Sequence, residues 1–280
     1  MKKFLIIFSV LLSFSAARAE LLVSEGFEGP ANFAYWNGTS WETLMNFVGP
    51  GFTQMFADPK LIIGKETSGC FSGNQCIRLY DETPGGTSEF WTKPFNPRRS
   101  ELWITWWEKL STDYDINEGH KWFLFQCEQN GDDPYINWQS WDGGTDKELN
   151  SRVYNSGPIA CSNQTFAASK AITLPSNQWY QYKIHIKLNT IGQNDGHFQV
   201  WIKKDGVNWI TLWNLRNISN LRCNTPRNIV ALRFGGTRER GPVISSRGIK
   251  WIDEIMIGTA EADVDSGSNP SVPVGLRIIR

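Results

Sequence analysis

Past its first residues the chain contains no apolar run approaching the roughly 18 residues that a membrane-spanning helix needs, which excludes helical membrane insertion. A charge excess is also missing, since 28 Lys and Arg stand against 28 Asp and Glu. A nucleic-acid or anionic-membrane binder would carry a basic surplus, so both classes are excluded on bulk electrostatics. Long helical periodicity is nearly absent. No reactive-cysteine motif surrounds any of the five cysteines, so a catalytic thiol is not supported. No repeat of fixed period stands out.

What is present begins with a leader. Lys2 and Lys3 precede an apolar run from Phe4 to Phe14, and Ala17-Arg18-Ala19 has the small-x-small pattern of a cleavage site. Residues 1–19 read as a secretory signal peptide, with Glu20 opening the mature chain and a secreted, extracellular or periplasmic destination. Without Lys2, Lys3 and Arg18 the balance is 25 basic to 28 acidic residues. Export makes disulfides permissible. Cys70 and Cys76 bracket the short loop FSGNQ and are the first pair expected, which leaves the pairing of Cys127, Cys161 and Cys223 open.

Short alternating runs recur between clusters of Gly, Pro, Asn and Asp. Strands are expected near 21–27, 75–80, 101–110, 121–128, 135–140, 179–188, 197–203, 208–213, 228–234 and 249–257. In YQYKIHIKL, Tyr182, Ile184, Ile186 and Leu188 share one face, and Lys183, His185 and Lys187 share the other. In HFQVWIKK, Phe198, Val200 and Ile202 are the apolar set, opposed by His197, Gln199 and Trp201. Asp195-Gly196 can supply the positive φ angles of a tight turn between them. ELWITWWEKL is apolar on both faces, which predicts a central strand covered on both sides. Many short aromatic-rich strands imply an all-β sandwich of two antiparallel sheets over residues 20–258. Residues 259–280 read as a linker-like tail.

The segments SGNQCIRLYD, RRSELWITWWEKLS, WYQYKIHIKLNTIGQNDGHFQVWIKKDG, ALRFGG and IKWIDEIMIG follow one another. Their order resembles that of the strands in concanavalin A-like β-jelly-roll proteins. It most resembles secreted polysaccharide lyases of the alginate and glucuronan lyase type. The resemblance runs from about Ser24 to Gly258. It implies a jelly roll and β-elimination on a uronate-containing glycan, with an acidic polysaccharide as partner. Two family motifs are missing. The Gln-Ile-His motif of one branch is met here by Gln126-Cys127-Glu128, and the Tyr-x-Lys-x-Gly-x-Tyr motif has no counterpart. The other branch's Gly-Lys strand has a short match at Gly119-His120-Lys121. The E-x-D-x-x-E motif of jelly-roll glycoside hydrolases is absent as well, so a paired-carboxylate hydrolase is not expected. These departures keep open a non-catalytic carbohydrate-binding or adhesion module.

A lyase must neutralise a uronate carboxylate, remove the C5 proton and protonate the leaving oxygen. Candidate catalytic residues are His185, Lys121 and His120. Lys183, Lys187, Gln126, Trp201, Arg233 and Trp138 are candidates for substrate binding. Lys183, His185 and Lys187 would stand in a row about 6.5–7 Å apart, able to face successive carboxylates. The plain alternative is a solvated outer face. Most of the fourteen Trp are expected in the core. If the first and last strands lie side by side, Glu25 or Glu28 meets Asp253, a hard-oxygen set suited to a structural Ca2+. Otherwise these are ordinary surface carboxylates.

Overall fold

The computed structural model describes residues 19–27, 33–36, 41–43, 53–54, 61–81, 87–92, 95–112, 114, 121–127, 135–140, 151–156, 165–167, 174–204, 207–219, 221, 228–237 and 248–265. Seventeen strands lie within them. They are β1 (Leu21–Glu25), β2 (Phe33–Trp36), β3 (Trp41–Thr43), β4 (Thr53–Gln54), β5 (Leu61–Glu66) and β6 (Cys76–Asp81). Next come β7 (Thr87–Thr92), β8 (Glu101–Leu110), β9 (Lys121–Cys127), β10 (Tyr135–Ser140), β11 (Ser151–Ser156) and β12 (Thr165–Ala167). The last are β13 (Trp179–Lys187), β14 (Gly196–Lys204), β15 (Ile210–Ile218), β16 (Ile229–Thr237) and β17 (Gly248–Gly258). One short helix follows, α1 (Glu261–Asp265).

Two antiparallel sheets result. Sheet A runs β15-β14-β13-β8-β17-β6-β5-β4, with β1 also paired to β17. Sheet B runs β12-β11-β10-β9-β16-β7-β2-β3. The chain is a β-jelly-roll sandwich, as the strand pattern predicts. The first and last strands lie side by side as expected, since β1 pairs β17 with Glu25 opposite Ile255.

Alternation decides which faces meet. Tyr182, Ile184 and Ile186 of β13, Leu102, Ile104 and Trp106 of β8, and Phe198, Val200 and Ile202 of β14 are all buried. They pack in one cluster with Leu232 and Phe234 of β16. The Trp106 ring bridges the sheets, 4.9 Å from Tyr182 and 5.4 Å from Phe234. Side chains such as Phe198 and Ile184 contribute on the order of 2 kcal/mol each by burial.

β8 is central and covered on both faces, as ELWITWWEKL predicts. On its far face Phe71, from the loop closed by the Cys70–Cys76 disulfide, stacks on Trp107 at 3.6 Å. The stretch expected as linker differs: Glu261–Asp265 forms α1, and Val264 is buried. An apolar residue that needs cover, and a buried Lys183 that needs acids, hold this turn of helix in place. No helix among the described residues is long and apolar enough to cross a membrane.

Candidate functional site

The outer face of sheet A carries the row Lys183, His185 and Lys187. These residues share a face as their spacing predicts, but Lys183 and His185 are each only 6% exposed. Lys183 donates from Nζ to Glu261 Oε1 at 2.6 Å and to Asp265 Oδ1 at 3.3 Å, both on α1. Lys187 reaches Asp195 at 3.6 Å. His185 lies under Trp103, with ring centroids 4.0 Å apart and planes 8° from parallel.

The hydrogen bonds around His185 have a fixed direction. Arg216 Nε can only donate, and it meets Asn214 Oδ1 at 3.0 Å. Gln199 donates from Nε2 to the same oxygen at 2.6 Å. Gln199 therefore turns Oε1 toward His185 Nδ1 at 3.0 Å, so that ring nitrogen donates. The other nitrogen, Nε2, meets the Glu101 carboxylate at 2.8 Å. That hydrogen bond holds the Glu101 carboxyl below its usual range, against the opposing effect of burial. His197, edge-on to His185 at 5.7 Å, is pushed down chiefly by burial. With both nitrogens engaged, His185 orders β8, β13 and β14 and has no lone pair directed at a ligand.

The outer face of sheet B is defined by register. Leu232 and Phe234, both buried in the core, pair with Phe125 and Phe123 of β9. The alternate positions Ala231 and Arg233 pair with Gln126 and Leu124. Across β10, Gln126 pairs with Tyr135 and Leu124 with Asn137. Asn137 in turn pairs with Tyr154 of β11, and Gln139 with Arg152. Positions 126, 135, 137, 139, 152, 154 and 233 thus share one face. A bulge between Trp138 and Gln139 pairs Lys121 with Gln139, which resets the alternation and brings position 121 to the same face. Position 138 pairs with Phe123 and falls with the core-side set. Positions 121, 126 and 233 therefore share this face, with 121 and 126 near opposite ends of β9, while His185 stands on the other sheet and position 138 falls on the other side of this one. His120 lies outside the described residues. Sequence reasoning missed Tyr135, Asn137, Arg152 and Tyr154. The i, i+2 recurrence of polar groups in YINWQS and SRVYNS was the available signal.

Asp253 is fully buried on the outer side of β17. Its Oδ2 accepts the amide N–H groups of Phe71 and Ser72 at 3.0 and 3.1 Å, and its Oδ1 that of Glu254 at 2.8 Å. Burial pushes its carboxyl up to about 7, and the neighbouring Glu254 charge acts in the same direction. A register shift after Asp253 and a φ of 47° at Glu254 turn both acids toward the disulfide loop. There Ser72 Oγ donates to Glu254 Oε1. A Cβ added to Gly26 would come within 3.1 Å of Glu254 Oε1, so only glycine leaves that carboxylate undisturbed. Cys70 and Cys76 also face Asp253, but their disulfide removes them as thiolate ligands. Two carboxylates and a hydroxyl fit a hard divalent cation better than a soft one. Glu254 was not anticipated. Glu25 is placed only by its pairing with Ile255, and Glu28 lies outside the described residues.

Comparison with known proteins bears on the fold and the family. An alginate lyase from Aplysia kurodai superposes with a TM-score of 0.53 at 14% identity, covering 71% of this chain and 87% of that one. An endo-β-1,4-glucuronan lyase from Trichoderma reesei gives 0.53 at 16% identity, covering 84% and 98%. At such identities the likeness establishes the jelly roll alone. No curated protein matches the sequence. The profile of the family described as polysaccharide lyase matches residues 49–255, well over half of the chain, so the chain belongs to the polysaccharide lyase family.

Proposed function

We propose that this lyase cleaves a uronate-containing glycan by β-elimination on the outer face of sheet B. The observation that carries the reading is the register set of β16, β9, β10 and β11. It places one lysine, two arginines, three Asn or Gln residues and two tyrosines at positions of one face. Gln126, Asn137 and Arg233 suit the neutralisation of the C5 carboxylate, which makes the C5 proton removable. Lys121, as the neutral amine, is the base that takes that proton and becomes the ammonium. The released electron pair forms the C4–C5 double bond, the bond from C4 to the glycosidic oxygen breaks, and Tyr154 protonates the leaving oxygen. Alginate and glucuronan, named for the two similar structures, are both uronate polymers, which supports this substrate class.

A Ca2+ held by Asp253, Glu254 and Ser72 would tie the disulfide loop to the last strand and take no part in elimination. Export fits the leader-like residues 1–19 and the Cys70–Cys76 disulfide.

The test is to incubate the protein with alginate, glucuronan and glycosaminoglycans and follow the ultraviolet absorbance of the unsaturated uronate. Absorbance growing with at least one of them is the expected result. No product from any uronate polymer, with glycan binding retained, would favour the non-catalytic module.

A further inference from the structure

The outer face of sheet A carries rings and ammonium groups that elimination on sheet B does not use. Lys183 Nζ lies 5.5 Å from the Trp201 ring centroid and 4.9 Å from that of Trp209. Lys203 Nζ lies 4.6 Å from the Trp209 centroid and 6.0 Å from that of Trp107. Trp201 is within 12° of parallel to Trp103 at 5.9 Å. Rings and cations thus alternate along the sheet. Lys183 is buried and held by α1, whereas Trp201, Trp209 and Lys203 are partly exposed. Beside Trp209, Val207 and Ile210 are 52% and 42% exposed.

We propose that Trp201, Trp209 and Lys203 form a second, non-catalytic binding surface for an acidic polysaccharide. The proposal rests on the uronate reading above for its ligand class, but not on the catalytic residues. The C–H face of a pyranose stacks on an indole ring, and a uronate carboxylate needs a cation within reach of that ring. Here the Lys203 ammonium stands 4.6 Å from the Trp209 centroid, while that of Lys183 is already paired with the acids of α1. Two lysine ammoniums lie 4.9 and 4.6 Å from the Trp209 centroid, so its ring is ordered before a ligand arrives and little further freedom is lost on binding. Val207 and Ile210 extend the apolar contact past the ring. A polymer held on sheet A leaves the face of sheet B free, so the surface would tether a long chain and raise its local concentration at the catalytic face. A short oligosaccharide cannot engage both faces and should gain nothing.

The competing account is that the rings only shield the sheet from water. It predicts lost stability without lost binding. Affinity electrophoresis in gels containing alginate or glucuronan separates the two, read beside the melting temperature and turnover of a uronate trisaccharide. Trp209→Ala should weaken retention by about tenfold, the effect of one lost stacking contact. Lys203→Gln should weaken it less and flatten its salt dependence. Trisaccharide turnover should stay at the parent level in both. Parent-like retention in folded variants, or loss of trisaccharide turnover along with retention, would overturn the proposal. Should Trp209→Ala not fold, Lys203→Gln and Lys203→Glu decide alone. The two readings fail separately. A parent that makes no unsaturated product but shows ring-dependent retention contradicts the lyase reading and supports the surface. A parent that cleaves, with variants retained like it, does the reverse.

Discussion

Glu108 and Lys250 sit on the core side of sheet A, 3.6 Å apart and each at most 2% exposed. Trp106 donates from Nε1 to Glu108 Oε2 at 3.3 Å. Burial pushes the Glu108 carboxyl up, and the Lys250 charge opposes it. Removing one partner strands the other charge, so Lys250→Met should destabilise by about 3–5 kcal/mol in chemical denaturation. Adding Glu108→Gln should recover much of that loss. A single variant as stable as the parent would show that the pair is not closed in the fold. Glu101 behaves in the opposite sense. Its folded carboxyl lies below the usual 4.5 because His185 donates to it. The stabilisation is therefore present above about 4.5 and disappears as pH falls through the lower folded value. Its side chain is 41% exposed, so the loss should stay under about 1 kcal/mol. Glu101→Gln should make the acid limb of the stability curve shallower, and an unchanged limb would remove the ion pair from the account.

Among the elements, the disulfide loop and β17 depend on each other. The loop supplies two N–H groups to Asp253 and stacks Phe71 on Trp107. Closing so short a loop stabilises by about 2 kcal/mol through the unfolded chain. Replacing Cys70 and Cys76 with Ala should remove roughly that much and also reduce any Ca2+-induced rise in melting temperature. A Ca2+ response identical in parent and variant would place the ion elsewhere. The long strands were legible because apolar residues recur over nine or more positions, on both faces in β8 and largely on one in β13, β14 and β17. β2, β3, β4 and β12 were not, since two to four residues cannot establish a period. α1 was hidden in a composition that reads as linker, because one buried Val264 and a distant Lys183 decide its position. The bulge that brings Lys121 to the outer face of sheet B left no trace in local sequence, since it exists only in the pairing with β10.

Across the whole molecule, two outer faces divide the residues that a sequence reading would combine. The core was legible as alternation, but alternation cannot say what covers the opposite face. Lys183, His185 and Lys187 read as a docking row, yet partners 8 to 84 residues away in sequence, including Asp195, Gln199, Glu101 and the acids of α1, occupy them. Gln126 and Arg233 lie more than a hundred residues apart in sequence and only two positions apart across the β9–β16 ladder. The account therefore assigns chemistry to sheet B and order to His185. The most direct test compares unsaturated-product formation by Lys121→Ala, Tyr154→Phe and His185→Ala on the polymer that the parent cleaves, per folded molecule. The account predicts that Lys121→Ala falls by on the order of 10²–10⁴. It also predicts that Tyr154→Phe falls in the same direction, and that His185→Ala keeps its turnover while losing stability. Full turnover in Lys121→Ala, or its abolition in a folded His185→Ala, would contradict it.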